Sequence, residues 1–273
     1  MNIILSIKKL NISVPTENKI IIDNVSFDVK QGEVIVLSGA NGCGKSTILK
    51  TIVMDSGKDG DDLKGLNIKG SISIEGSDDI IQNSNNINFL EKVRKKIGYI
   101  AQKDEKYESL GRNTTVADVL RVSASEFYIP KKLSAKEINE ILINYAPNKK
   151  RKGTAQFDSK SRVRVPHLSG GQQRLLSVIS SVAIRKDANL FLIDEPLNNL
   201  DSDNMIYVSN LINSIHRENP NAAFLIVTHC RIFPFVIKRI EIINGRIANI
   251  YTNEKYYDCI GTANEYGFYD LPK

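Results

Sequence analysis

The sequence contains only three cysteines, and it places them far apart at Cys43, Cys230 and Cys259. None of them has a neighbouring cysteine or histidine at the short spacing of a zinc site, and an odd number does not close into a set of disulfides. This sparse usage favours a reducing compartment, where thiols stay free.

Long hydrophobic runs are also absent. A helix that crosses a bilayer needs roughly 20 consecutive apolar residues, and the most apolar stretches here are 34–37, 190–193 and 222–227. Runs of that length are typical of buried strands. Residues 1–14 alternate apolar and polar side chains and include two lysines, unlike a signal peptide. If the protein works at a membrane, we expect another chain to cross it.

The charge has no strong bias to either sign, with a formal net value of +6 from 37 basic and 31 acidic residues. So mild an excess suits phosphate ligands, nucleic acid or an anionic membrane surface, and it serves solubility equally well. The basic patch at 149–152 looks like a nuclear-targeting or nucleic-acid-binding segment, and it also fits a solvated loop of the helical subdomain. A solvated loop is favoured there, and we expect no nucleic-acid partner.

The pattern of apolar residues predicts an α/β fold. Ile3, Leu5 and Ile7 alternate with polar residues, as do the apolar residues of 25–29, which predicts half-buried antiparallel strands. After residue 34, short apolar strands alternate with helical segments, which is typical of a parallel sheet. The length of 273 residues and the 41% apolar content suit one large domain with a smaller subdomain.

Between these elements the sequence predicts loops, a helical subdomain and a hairpin. Polar residues at 55–70 and 77–89 predict surface loops, and 103–185 reads as the helical subdomain. The pair Asn244-Gly245 between apolar runs predicts a tight hairpin. We expect one domain over 1–250 and assign no role to the tail at 251–273.

A glycine-rich segment between a predicted strand and a predicted helix fits the pattern G-x-x-x-x-G-K-[ST]. Its backbone N–H groups and the helix N-terminus can surround a β-phosphate. The lysine can reach the β- and γ-phosphates, and the serine can ligate Mg²⁺. We therefore expect nucleotide contacts from Gly39, Asn41, Gly42, Cys43, Gly44, Lys45, Ser46 and Thr47.

The apolar run 190–193 ends in two carboxylates, Asp194 and Glu195. A buried strand delivers them to the carboxyl edge of the sheet, where Asp194 can orient Mg²⁺ and Glu195 can act as general base on the attacking water. A strand that ends in two acids is weak evidence alone, but beside a phosphate-binding loop it predicts a nucleotide hydrolase.

The segment 168–172 reads Leu-Ser-Gly-Gly-Gln and lies between these two motifs. Here the sequence resembles the ATP-binding cassette family, whose signature is LSGGQ. The resemblance covers about 3–250 and implies a RecA-like P-loop core with an N-terminal antiparallel β-subdomain and a helical subdomain. It also implies that the signature binds the γ-phosphate held by an opposite subunit through Ser169, Gly170, Gly171 and Gln172.

The same resemblance assigns roles to three further residues. Gln102, after the predicted strand 97–100, matches the glutamine that touches Mg²⁺; Asp201 matches the D-loop aspartate, and His229 matches the switch histidine on the γ-phosphate. It implies ATP and Mg²⁺ as cofactors and a head-to-tail dimer. The catalytic group is then Glu195, His229 and Gln102, and the metal group is Ser46, Gln102 and Asp194.

Two features depart from the family pattern. Many cassettes stack the adenine on an aromatic residue near the start of the chain, but 12–19 contains none, and Val14 is the nearest match. The basic residue expected three positions after the signature is replaced by Leu175, with Arg174 one position earlier. We therefore expect the nucleotide to be held mainly through its phosphates and Mg²⁺.

Two functions fit this sequence. The first is the nucleotide-binding subunit of a membrane transporter, a homodimer or heterodimer with separately encoded permease subunits, on the cytoplasmic face of the membrane. The second is a cassette ATPase without a membrane partner, as in translation factors and iron–sulfur assembly. Translation-type members usually carry two cassettes, and the single cassette here favours the transporter subunit.

Overall fold

The computed structural model describes residues 2–54, 63–101, 113–126, 133–145, 164–185, 187–198, 200–229 and 238–252. Gln102, the patch at 149–152 and the tail beyond 252 lie outside these ranges, so the predictions made for them are untested. Over the described ranges the chain forms two sheets with helices packed against them.

The first sheet contains β1 (Ile3–Val14), β2 (Lys19–Lys30) and β4 (Asn67–Ile74), in the order β2-β1-β4. Both pairs are antiparallel, which confirms the expected N-terminal sheet. β4 begins within the predicted loop 55–70, because its polar first residues pair with β1 from Asn67 opposite Ser13 onward. Backbone pairing extends this strand beyond its apolar residues.

The second sheet has six strands in the order β5-β6-β7-β3-β8-β9. Five of them are mutually parallel, and β9 pairs antiparallel with β8. The strands are β3 (Val34–Ser38), β5 (Ile97–Ile100), β6 (Leu190–Asp194), β7 (Ala223–Val227), β8 (Lys238–Ile243) and β9 (Arg246–Thr252). The predicted parallel α/β sheet is confirmed.

The hairpin between β8 and β9 turns at Asn244 and Gly245, as predicted. Their φ angles are 50° and 76°, the left-handed pair that a tight two-residue turn requires. Asn and Gly adopt this conformation at low cost, which is why the sequence signal was specific.

Six α-helices lie in the described ranges: α1 (Lys45–Val53), α2 (Ile87–Arg94), α3 (Val116–Glu126), α4 (Ala135–Tyr145), α5 (Gly170–Ile184) and α6 (Ser202–Glu218). α2 begins inside the predicted loop 77–89. The carboxamide of Asn86 accepts the Phe89 N–H at 3.1 Å and so caps its first turn. No helix in the described part is long and apolar enough to cross a membrane.

The parallel sheet is buried on both faces. Along β3, Val34 and Val36 face a core shared with α3, α5 and α6, whereas Ile35 and Leu37 face a core shared with the first sheet and α1. Side chains of a strand alternate between faces, so a strand buried on both sides reads as a continuous apolar run. This arrangement fixes the carboxyl ends of β3, β6 and β7 side by side.

Candidate functional site

The loop 39–44 leaves the carboxyl end of β3 and leads directly into α1. Gly39, Gly42 and Gly44 have φ angles of 143°, 77° and 99°, which side chains rarely tolerate. A Cβ at Gly39 would also overlap the carbonyl oxygen of Ile242. The loop therefore curls tightly, the Cys43 N–H bonds back to the Ala40 carbonyl at 3.3 Å, and these glycines permit that path.

Lys45 lies across this loop and is buried. Its Nζ donates hydrogen bonds to the carbonyl oxygens of Gly39 at 2.8 Å and Ala40 at 2.9 Å. The side chain is thus anchored at the first helical turn, with its charge over the loop.

Asp194 ends β6 and is fully buried. Its Oδ1 accepts a hydrogen bond from the Ser46 hydroxyl at 3.0 Å, and its Oδ2 has no hydrogen-bond partner among the described residues. Burial raises the pKa of this carboxyl group. The structure thus joins two residues 148 positions apart and leaves one buried carboxylate oxygen unsatisfied beside them.

Glu195 follows with a strained backbone. Its φ of 46° is left-handed, and its N–H donates to the Val227 carbonyl at 2.8 Å. Its Oε1 lies 3.3 Å from Nε2 of His229. Burial, and then the neighbouring charge of Asp194, raises the pKa of Glu195 to about 7. Burial and the charge of Lys45 lower the pKa of His229. The backbone N–H of His229 donates a hydrogen bond to the Glu195 carboxylate, which partly offsets the rise in the pKa of Glu195.

The signature residues open α5. Ser169 caps the helix: its hydroxyl accepts the Gln172 N–H at 3.3 Å, and the Gln172 carboxamide accepts the Ser169 N–H at 2.9 Å. Ser169 and Gly170 are exposed, and within the described part of the chain nothing beyond its own turn lies within 4 Å of a Cβ placed on Gly170. These hydrogen bonds run within the signature and not to the phosphate loop, and the helix N-terminus faces open space.

Asp201 caps α6. Its carboxylate accepts the Asn204 N–H at 2.8 Å and the Asn204 carboxamide at 3.0 Å. Burial of its neighbours Leu200 and Asn204 fixes the place of this turn. An aspartate before a predicted helix is a cap signal in the sequence itself, and the role expected at the dimer interface stays a prediction.

Sequence reasoning gave no role to Arg174, which the structure places behind the site. Its guanidinium donates hydrogen bonds to the carbonyl oxygens of Ala101 at 2.6 Å, Asp194 at 2.7 Å and Glu195 at 2.8 Å. The sequence gives only an arginine one position away from the expected basic residue, and nothing there indicates these partners.

A pocket of about 490 Å³ lies next to the phosphate loop and was also missed. The start of β2, the loop and the β8–β9 hairpin line it. Two of its residues, Ile20 and Ile243, are 64% and 48% exposed, which is unusual for large aliphatic side chains. None of its lining residues is aromatic.

The strand–loop–helix with Lys45 and Ser46, next to a strand ending in Asp194 and Glu195, defines a P-loop nucleotide-binding protein. The profile of the ABC transporter family matches residues 22–198, more than half of the chain. The chain therefore belongs to the ABC transporter family. It is an ATP-binding and ATP-hydrolysing subunit of that family, and the expected RecA-like cassette fold is confirmed.

Individual relatives agree with this assignment. The chain is 30% identical over 236 residues to a putative hemin import ATP-binding protein, HrtA, of Staphylococcus haemolyticus, covering 83% of this chain and 90% of the relative. It is 29% identical over 233 residues to the energy-coupling factor transporter ATP-binding protein EcfA of Pediococcus pentosaceus, covering 84% and 71%. A dimeric ATP-binding cassette bound to ADP and phosphate has a similar fold, with a TM-score of 0.69 at 19% identity, covering 92% and 99%.

Proposed function

We propose that the chain binds ATP with its triphosphate in the loop 39–47 and hydrolyses it at the carboxyl ends of β3, β6 and β7. The observation that carries the proposal is the convergence of Lys45, the Ser46–Asp194 pair and the Glu195–His229 pair at one sheet edge. The loop N–H groups and Lys45 neutralise the phosphate charge. The adenine ring of ATP occupies the adjoining pocket, where Ile20 and Ile243 offer apolar surface.

The residues at this edge fit a magnesium ion. The Ser46 hydroxyl and the unsatisfied Oδ2 of Asp194 are hard oxygen donors of the kind that Mg²⁺ prefers. The described part of the chain has no cluster of three or more acidic, histidine or cysteine side chains that could hold a metal alone. Phosphate oxygens and water are expected to supply most of the other ligands, as is usual for Mg²⁺ in nucleotide sites. The ion supplies charge neutralisation on the phosphates, and Gln102 is a further expected ligand.

Glu195 is the proposed general base. A base works best when its pKa lies near the working pH, and burial raises the pKa of Glu195 to about 7. Glu195 takes a proton from the water that attacks the γ-phosphate, while the backbone hydrogen bond from His229 and the nearby imidazole orient its carboxylate. Gln102 completes the expected catalytic group.

The exposed N-terminus of α5 is proposed to bind the γ-phosphate on a second subunit. The positive end of the helix faces open space beside Gly170, which suits an anion delivered from outside. The N–H groups of Ser169 and Gln172 bond each other's side chains in the free chain, and all four residues from Ser169 to Gln172 are the expected phosphate contacts. Two such chains, or one chain and a close relative, then enclose two ATP molecules head to tail. Asp201 is expected at the same interface.

The names of the relatives support coupling to transport. HrtA and EcfA are named for hemin import and for an energy-coupling factor transporter. ATP binding then closes the dimer, hydrolysis reopens it, and separately encoded permease subunits convert that motion into transport at the cytoplasmic face. The alternative of a cassette ATPase without a membrane partner gains no support from these names.

The test compares Lys45→Ala with Lys136→Ala, which removes an exposed lysine of α4. Lys45→Ala should fold normally but lose ATP binding or turnover, because the only cation buried in the phosphate loop is gone. Lys136→Ala should hydrolyse ATP at the wild-type rate. Normal turnover by Lys45→Ala would contradict the site assignment.

A further inference from the structure

Arg174 lies in the second turn of α5 and is buried beneath the ATP site. Its guanidinium donates hydrogen bonds to backbone carbonyl oxygens at the ends of two strands. The acceptors are Ala101 after β5, and Asp194 and Glu195 at the end of β6. A single side chain thus joins the signature helix to the carboxyl ends of the neighbouring strands β5 and β6.

The guanidinium is well suited to this task. It presents several N–H donors in a rigid planar fork, so it can hold acceptors on different strands in one fixed arrangement. All three distances lie between 2.6 and 2.8 Å, which is short and indicates charge-assisted bonds. A lysine in its place would keep the charge but donate from a single ammonium nitrogen. A glutamine would keep neither the charge nor the planar set of donors.

The backbone of Glu195 depends on such support. Its left-handed φ of 46° is costly for a residue with a side chain and persists only where neighbours fix it. Its N–H donates a hydrogen bond to the Val227 carbonyl. Its own carbonyl oxygen accepts hydrogen bonds from the Asn198 N–H at 3.2 Å and from the Arg174 guanidinium. Arg174 is the only one of these partners that comes from the signature helix.

We propose that Arg174 is a positioning residue that holds the Glu195 carboxylate in its reactive place and ties that place to the position of the signature helix. The inference rests on the proposed ATPase function. When Ser169 of this chain engages a phosphate on the second subunit, a shift of α5 reaches the Glu195 of the same chain through one side chain. Each ATP site thereby influences the general base, Glu195, of the other ATP site.

The first experiment measures kcat and KM for ATP in Arg174→Gln, Arg174→Lys and Arg185→Gln. Arg185 is the buried arginine at the other end of α5 and serves as the matched control. Arg174→Gln should lower kcat about 10- to 100-fold, the usual cost of a misplaced catalytic group, with KM nearly unchanged. Arg174→Lys should recover part of that loss, and Arg185→Gln should leave kcat near wild type.

The second experiment places Arg174→Gln in a Glu195→Gln background and measures single-turnover hydrolysis. If Arg174 acts through Glu195, its removal has no further effect once the carboxylate is gone. An equal loss of rate in both backgrounds would show that Arg174 supports the fold in general, and would overturn the proposal.

The remaining outcomes are equally decisive. A kcat within twofold of wild type in Arg174→Gln, beside an active wild type, would overturn this inference alone. A wild-type chain without ATPase activity would overturn the proposed function and this inference with it. If Arg174→Gln does not fold, Arg174→Lys in both backgrounds gives the same comparison, and an unchanged kcat there would overturn the proposal.

Discussion

At the residue scale, the buried carboxyl group of Glu195 lowers the stability of the folded chain when it is ionised. Glu195 has a pKa of about 7 in the folded chain, above its ordinary value of 4.5, because burial and Asp194 disfavour its charge. The folded state therefore holds a proton that the unfolded state releases between those two pH values. Stability from this group is present below pH 4.5 and is lost as the pH rises through 7.

Glu195→Gln should consequently be more stable than wild type by about 3 kcal/mol at pH 8, but by less than about 1 kcal/mol at pH 5. Glutamine keeps the size and carries no charge to bury. Denaturant unfolding of both proteins without nucleotide, at the two pH values, measures the difference. A stability gain of the same size at both pH values would contradict this account of Glu195.

The base pocket gives a second prediction at this scale. Among the described residues, no aromatic ring lines the pocket to stack on the adenine, so the phosphates should dominate the affinity. ATP and GTP should then bind within roughly tenfold of each other, about 1.4 kcal/mol. Ile20→Ala should weaken ATP several-fold, since about 1–2 kcal/mol of apolar contact is lost, and leave inorganic tripolyphosphate binding unchanged. Titration calorimetry measures both ligands.

The matched control is Ile250→Ala, which truncates an isoleucine of β9 that is 53% exposed and does not line the pocket. It should bind ATP like wild type. If Ile20→Ala weakened the binding of ATP and of tripolyphosphate equally, the adenine ring would have to bind elsewhere.

At the element scale, the helix N-terminus of α5 explains why a serine and two glycines follow Leu168. Ser169 satisfies an N–H of the first turn, while the exposed Gly170 places no side chain in the space in front of the helix. The apolar residues that follow, such as Leu175 and Leu176, are fully buried and fix the helix against the sheet.

Ser169→Arg should abolish ATP-dependent dimers without unfolding the chain, because it places bulk and positive charge at the proposed shared phosphate. The measurement is light scattering in the Glu195→Gln background, where slow hydrolysis, about 10²- to 10⁴-fold below wild type, lets the ATP-bound dimer accumulate. The ADP form should remain monomeric. A Ser169→Arg dimer as stable as that of Glu195→Gln alone would argue against this interface.

The elements also show where sequence patterns fall short. The hairpin at Asn244-Gly245 and the helix at Lys45 follow local rules, so the sequence predicts both. The starts of β4 and α2 were missed, because pairing with β1 extends one and the Asn86 cap starts the other. Polar residues at those positions obscured the periodicity.

At the scale of the whole molecule, the prediction concerns location. The chain expressed alone should remain in the supernatant, and it should sediment with membranes when expressed with the proposed permease partner. A neighbouring reading frame with several apolar segments of roughly 20 residues identifies that permease. Its deletion should release the chain from native membranes. Sedimentation with ribosomes instead would favour the alternative without a membrane partner.

The sequence by itself determined the family and its motifs: a glycine-rich loop before Lys45, paired acids at Asp194 and Glu195, and a Leu-Ser-Gly-Gly-Gln segment around Ser169. Glycine conformation, apolar strands and caps act over a few residues, so they can be read along the chain. Only the tertiary structure decided that Ser46 meets Asp194 and that Arg174 reaches Ala101, 73 positions away. Such contacts depend on the strand order β5-β6-β7-β3-β8-β9, which arises from the packing of the whole sheet and which no local pattern encodes.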